Sequence, residues 1–220
     1  MNVTEALKES ILLENIPVEI IKKEILPFGR IKTYLKGSYL FLKTDKIDYI
    51  GILLSGHINM LHIFDDGTYT ITNTLESPEV LGADLIFTNS KISPHYALAA
   101  TEVKIFILPD QIIHKSGFLK EQYRIEILNR LLHLVSQENM KKEYRLAILY
   151  QKGLRERIMT YLTMQAERQH NNNITIPFSR EELASFLCVN RSALSHELKK
   201  MEEEGLIKFK KNNFLLLYRN

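Results

Sequence analysis

Cysteine is almost missing from this chain of 220 residues: Cys188 is the only one. A single thiol excludes an internal disulfide, and it excludes zinc or iron–sulfur sites built from several thiolates. Long apolar runs are missing too, and none approaches the ~20 residues that a membrane-spanning helix needs. The opening MNVTEALKESILLENIP carries acids and no long apolar core, so it does not read as a signal peptide. There is no internal repeat and no low-complexity segment. No Ser-His-Asp constellation, phosphate loop or paired-carboxylate motif stands out. His57, His62, His95, His114 and His133 are scattered. His57 and His62 would face opposite sides of one strand, unlike the HxH pair of a metal-binding β-barrel enzyme. The expectation is therefore no catalytic residue, no metal, no cofactor and no membrane contact, in a protein of the cytoplasm.

Net charge is small, only +3, but it is unevenly spread. From Gln151 onward there are 12 Lys and Arg against 8 Asp and Glu, whereas the first 150 residues hold 17 against 18. The positive excess sits in the last third, which fits a polyanion partner for that part. An apolar fraction of 45% and a charged fraction of 25% are those of an ordinary globular protein. The length allows two modest domains.

Local patterning divides the chain. Leu7, Ile11, Leu12, Ile16, Ile20 and Ile21 follow a helical spacing, interrupted at Pro17. From Gly29 to Pro109 the runs SYLFLK, YIGILLSG, INMLHIF, TYTITNTL, HYALAA and EVKIFIL are separated by turn signals such as Ser55-Gly56 and Asp65-Asp66-Gly67. Short strands at this spacing predict an antiparallel sandwich or barrel, such as a jelly roll. Gly117 to about Arg145 then predicts one long helix without proline. Ile125, Leu128, Leu132 and Val135 step by three and four, as in a coiled-coil seam, and Leu131 and Leu134 widen the apolar face. One seam would face the barrel and the other a second copy of the chain; burial of the whole helix within one subunit is the alternative. A helix from about Leu154 to Arg168 follows, then a polar loop from Gln169 to Asn173.

The densest signal runs from Ser179 to Ile207, SREELASFLCVNRSALSHELKKMEEEGLI. Ser179 with Glu182 makes a capping box, and Asn190 is a second N-cap only eleven residues on. Leu183 and Leu187 give the first helix its apolar face; Leu194, Leu198 and Met201 give the second its own, and Gly205 stops it. Small Ala184 permits a close crossing, Val189 plugs the turn, and Cys188 is expected to pack there. This is a helix-turn-helix pattern, in which the second helix presents its outer face to the major groove. The candidate base readers on that face are Arg191, Ser192, Ser195 and His196, and an arginine in the first turn can hold guanine O6 and N7 together. Ser179, Arg180, Asn190, Lys199, Lys210 and Lys211 are candidates for phosphate contact. LIKFKKNNFLLLY reads as a basic hairpin turning at Asn212-Asn213, a wing. The fold class is thus α+β, in three parts: an N-terminal helix and antiparallel jelly roll over 1–116, a long dimerisation helix and hinge over 117–148, and a winged helix-turn-helix over 149–220.

The stretch FSREELA…VNRSALSHELKKMEEEGLI resembles the CRP/FNR family of bacterial transcription regulators. GLRERIMTYL is similar to the segment that leads into that family's DNA-binding domain, and YIGILLSGHINM and EVLGADLIF are similar to parts of its cyclic-nucleotide-binding-type jelly roll. The resemblance implies a homodimer that reads a palindromic site in double-stranded DNA, a small-molecule effector in the roll, and RNA polymerase as a possible partner. Family members that bind cyclic nucleotides use a Gly-Glu pair and a later Arg-Ser or Arg-Thr pair. Here the first region reads Gly82-Ala83-Asp84 and the second Ser93-Pro94-His95-Tyr96. Gly82, Ala83, Asp84, His95 and Tyr96 therefore mark the candidate effector pocket, and an effector other than cyclic AMP is expected. One cysteine cannot hold the cluster of the oxygen-sensing branch. Ser192 and His196 stand where several members carry glutamate and arginine, so the site read should differ there. The alternative function is a ligand-binding module that signals through a protein partner without DNA; the wing and Arg191 argue against it.

Overall fold

The structure is a computed structural model that describes residues 3–115 and 117–217. The chain forms two compact units, 1–137 and 138–220.

In the first unit, helix α1 (Val3–Glu9) stops sooner than its apolar spacing predicts. Residues 10–16 form successive turns, with Leu13 N bonded to Ser10 O and Ile16 N to Leu13 O. Leu12, Leu13 and Ile16 are still fully buried, so the periodic signal came from packing and not from a continuous helix. After Pro17 come the short α2 (Val18–Ile20), a π turn (Ile21–Ile25) and a 3-10 turn (Leu26–Phe28).

Eight strands follow: β1 (Arg30–Tyr34), β2 (Tyr39–Phe41), β3 (Tyr49–Ser55), β4 (His57–Ile63), β5 (Tyr69–Glu76), β6 (Val80–Leu81), β7 (Tyr96–Ala99) and β8 (Val103–Pro109). They pair antiparallel in two four-stranded sheets, ordered β1-β8-β3-β6 and β2-β7-β4-β5. In the first sheet β3 and β8 are buried on both faces, whereas edge strand β1 is largely exposed. Along β8, Val103, Ile105 and Ile107 join the core shared with Phe41, Ile58 and Ala97 of the second sheet. Phe106 and Leu108 point the other way, into a core with the N-terminal turns. This alternation follows from the two-residue period of a strand. Gly29 is required by that second core, because a Cβ there would lie 2.0 Å from the Phe106 ring.

After α3 (Gln111–His114) the long helix α4 runs from Glu121 to Leu149, not from Gly117 to Arg145. Gly117 has φ +93, a left-handed conformation that ends one element and not one that begins a helix. The far end extends because Ile148 is buried with the second core. Ile127 and Leu131 are fully buried against the first unit, with Leu128 and Val135 partly packed beside them. Ile125 and Leu132 are 47% and 67% exposed.

The second unit carries α5 (Leu154–Gln169), β9 (Asn173–Thr175), α6 (Arg180–Phe186), α7 (Arg191–Glu203), β10 (Ile207–Lys210) and β11 (Asn213–Leu216). Its sheet has the order β10-β11-β9. Strand β9 begins at Asn173, a residue expected to lie in a loop; it is held by β11, a partner forty residues away. Among the described residues no helix is long and apolar enough to cross a membrane.

Candidate nucleic-acid interface

The helix-turn-helix is built from its caps. Ser179 Oγ accepts from Glu182 N at 3.3 Å, and Glu182 Oε2 accepts from Ser179 N at 2.7 Å, closing the capping box of α6. Asn190 Oδ1 accepts from Ala193 N at 2.7 Å and so starts α7. Between the caps the chain turns on Cys188, whose φ is +56. Cys188 is exposed, contrary to its expected packing role: the left-handed turn carries its side chain outward, while Leu187 and Val189 supply the packing.

Leu194, Leu198 and Met201 are fully buried and fix the rotation of α7 about its axis. Its opposite face is therefore set: Arg191, Ser192, Ser195, His196 and Lys199 are all exposed. Three devices hold the two helices in place, the first on α7 and the other two on α6. Arg155 of α5 reaches Glu197 Oε1 at 2.7 Å and grips Glu204 with two bonds of 2.6 and 3.0 Å. These bonds hold the Glu204 carboxyl below its usual range. Arg157 donates to the carbonyls of Gln151 and Leu187, satisfying the end of α6. Tyr161, Phe178 and Phe186 form an aromatic triangle with centroids 5.1–5.9 Å apart, and burial pushes the Tyr161 hydroxyl up to about 12. Gly205, at φ +74, ends α7 with Leu206 N bonded to Met201 O.

The wing turns at Lys211-Asn212, one residue earlier than expected, since Lys210 pairs with Asn213. Lys211 takes the left-handed conformation, φ +56, and Asn212 is tied to Ile176 through both its backbone and side chain. Lys208, Lys210 and Lys211 are exposed.

Among the candidate contact residues, Arg191, Ser195, His196, Lys199, Lys210 and Lys211 are all exposed, at the start and along one face of α7 and at the wing tip. Others have partners within the chain. Ser192 Oγ donates to Asn190 Oδ1 at 2.7 Å. Arg180 is half-buried, 4.9 Å above the Phe209 ring and 5.6 Å from that of Phe214, and donates to Lys211 O at 3.2 Å. Burial, and after it the nearby Arg191 charge, push the Arg180 guanidinium below its usual value. The hairpin contact of Arg180 is invisible to sequence spacing, because it joins residues about thirty positions apart.

In the roll, Gly82 follows β6 at φ +85, where a Cβ would lie 2.7 Å from Tyr49 O. Ala83 is buried and Asp84 exposed. His95 precedes β7 and Tyr96 opens it, with the Tyr96 ring 6.0 Å from Tyr39. The two groups thus flank strands of different sheets. No arginine lies between Gly82 and Pro109. Lys91, in that stretch, is paired with the buried Asp110, whose carboxylate also lies 3.8 Å from His114 Nε2. Among the described residues there is no cluster of three His, Cys, Asp or Glu suited to a metal.

A family model described as a Crp-like helix-turn-helix domain matches residues 156–220, and one described as a cyclic nucleotide-binding domain matches residues 31–115. Electron transport regulator A of Shewanella oneidensis is 24% identical over 186 residues, 82% of this chain and 72% of that protein. The transcriptional activator protein FnrA of Stutzerimonas stutzeri is 23% identical over 177 residues, 78% of this chain and 70% of that protein. In fold, the chain is similar to the c-di-GMP responsive global regulator CLP of Xanthomonas campestris: TM-score 0.59, 18% identity, covering 92% of this chain and all of the other. The chain belongs to the CRP/FNR family of transcription regulators, with a helix-turn-helix DNA-binding domain and a cyclic-nucleotide-binding-like domain.

Proposed function

We propose that two copies of this CRP/FNR regulator bind a palindromic DNA site, each placing α7 in the major groove. The observation that carries this reading is the exposed face of α7, with Arg191 in the first turn and the buried stripe Leu194–Leu198–Met201 opposite. Arg191 holds a guanine in each half-site, and Ser195 and His196 face the neighbouring bases. Ser192 is turned toward its own helix cap, which leaves it a minor reader. Lys199, Lys210 and Lys211 face phosphates, with Ser179 and Asn190 at the two caps.

The copies join along α4, through the seam of Ile125, Leu128, Leu132 and Val135. The high exposure of Ile125 and Leu132 in the single chain supports this. In this reading the roll over 1–116 senses, the helix over 117–148 joins and transmits, and 149–220 reads. An effector other than cyclic AMP acts from the roll by binding one arrangement of the readers better than another. The protein acts as a regulator and not as an enzyme, in the cytoplasm where its DNA lies, with RNA polymerase as a further partner. Selection of bound sites from a random DNA library tests the reading. It expects one palindrome with half-sites about one helical turn, ~34 Å, apart. Recovery of unrelated sequences would favour action through a protein partner instead.

A further inference from the structure

We propose that Arg180 is a positioning residue that latches the wing, so that the wing lysines contribute to DNA binding only while Arg180 is in place. This inference rests on the DNA-binding reading for its consequence, but its structural half stands alone.

Phe209 and Phe214 come from the two strands of the hairpin and stack on each other, 5.7 Å apart at 23°. The Arg180 guanidinium lies over both rings, at 4.9 and 5.6 Å. Its Nη2 also donates to the carbonyl of Lys211 at 3.2 Å. Lys211 has φ +56, a conformation that residues other than glycine adopt at a cost. One planar cation therefore covers the aromatic pair of the hairpin and holds its strained turn. Phe209 N is bonded to Glu202 Oε1 of α7 at 3.3 Å, so the hairpin is tied to both helices of the reader. A guanidinium can stack and donate in its plane at once, whereas a lysine ammonium is a compact charge without a plane. Lys210 and Lys211 sit at the tip of this hairpin, so their reach toward a phosphate depends on the turn that Arg180 holds.

The test compares the full-length protein with R180K, R180A, K210A and the R180K/K210A double variant. Affinity for a selected DNA site is measured across salt concentration. If the latch is right, R180K falls about as far as R180A although its charge is kept. Each lowers the salt slope by more than the ~0.9 of one lost phosphate contact. K210A then weakens the wild-type protein about fivefold or more, but the R180K protein less than about twofold. Hydrogen exchange on the free protein is the second readout: amides of residues 210–213 exchange faster in R180K, while those of α7 do not. The latch is overturned if R180K keeps the wild-type slope, if K210A costs the same in both backgrounds, or if exchange at the turn is unchanged. A wild-type protein without affinity for DNA would sink the DNA reading alone, and the exchange comparison would still decide the latch.

Discussion

Replacing Asn190 separates two roles that one side chain holds. Its Oδ1 accepts from Ala193 N and from Ser192 Oγ, each at 2.7 Å. Asn190→Ala leaves the first turn of α7 without its cap, a loss of about 1 kcal/mol, whereas Asn190→Gly costs a few tenths. In thermal unfolding the Ala variant should melt about 4–8 °C lower if the 138–220 unit melts alone, or about 2–4 °C lower if the whole chain melts together. Asn190→Asp keeps the acceptor and places a negative charge at a helix N-terminus, where the aligned peptide dipoles favour it. Its melting temperature should match or exceed that of the wild type. The same charge opposes a nearby phosphate, so Asn190→Asp should bind DNA more weakly than Asn190→Ala does. Stability and affinity thus rank the two variants in opposite orders. If Asp destabilises as much as Ala, the cap is not what Asn190 contributes; if Asp binds DNA as well as Ala, no phosphate comes near this helix start.

Other outcomes follow from the same geometry. Leu132→Lys, at an exposed position, should give folded monomers in sedimentation, with the melting temperature lowered only by loss of the partner's stabilisation, while Leu131→Lys, fully buried, should unfold the first unit; a Leu132→Lys protein that remains dimeric would remove α4 from the interface. Glu204 is held below its usual carboxyl range by Arg155, so its contribution is present above the unfolded value of ~4.3 and is lost as pH falls through the lower folded one. Urea midpoints measured from pH 7 down to 3 should therefore fall for the wild type, and Arg155→Gln should remove part of that fall; parallel curves would deny the link. Calorimetry should detect no micromolar binding of cyclic AMP, because a buried phosphate without a cation costs several kcal/mol; a micromolar affinity would contradict this.

Much of this architecture is legible in the sequence, for definable reasons. The strands of the roll announce themselves because each is a short apolar run between turn residues, and β3, β4, β5 and β8 fall where those runs lie. The two helices of the helix-turn-helix are legible because their caps, Ser179 and Asn190, are local chemistry and need no knowledge of the rest of the fold. What stayed hidden depends on distant partners. Strand β9 is three polar-flanked residues that only β11 makes extended. The helix spacing from Leu7 to Ile16 marked burial, and the backbone met it with turns instead. The wing turn slipped by one residue because Lys211, not an asparagine, takes the left-handed conformation. Arg180 reads in the sequence as a candidate phosphate contact; its stack on Phe209 and Phe214 exists only once the hairpin folds back.

If the outer face of α7 reads bases, Arg191 is the residue whose loss shows it most directly. Arg191→Ala should be measured against the selected site and every single-base variant of it, at several salt concentrations. Loss of a bidentate guanine contact should cost about 1–3 kcal/mol per half-site and flatten the preference at one base position in each. Lys210→Ala, in contrast, should weaken all variants alike and lower the salt slope by about one. An Arg191→Ala protein that loses affinity equally for every variant, with each base preference intact, would show that this face of α7 is not the reader.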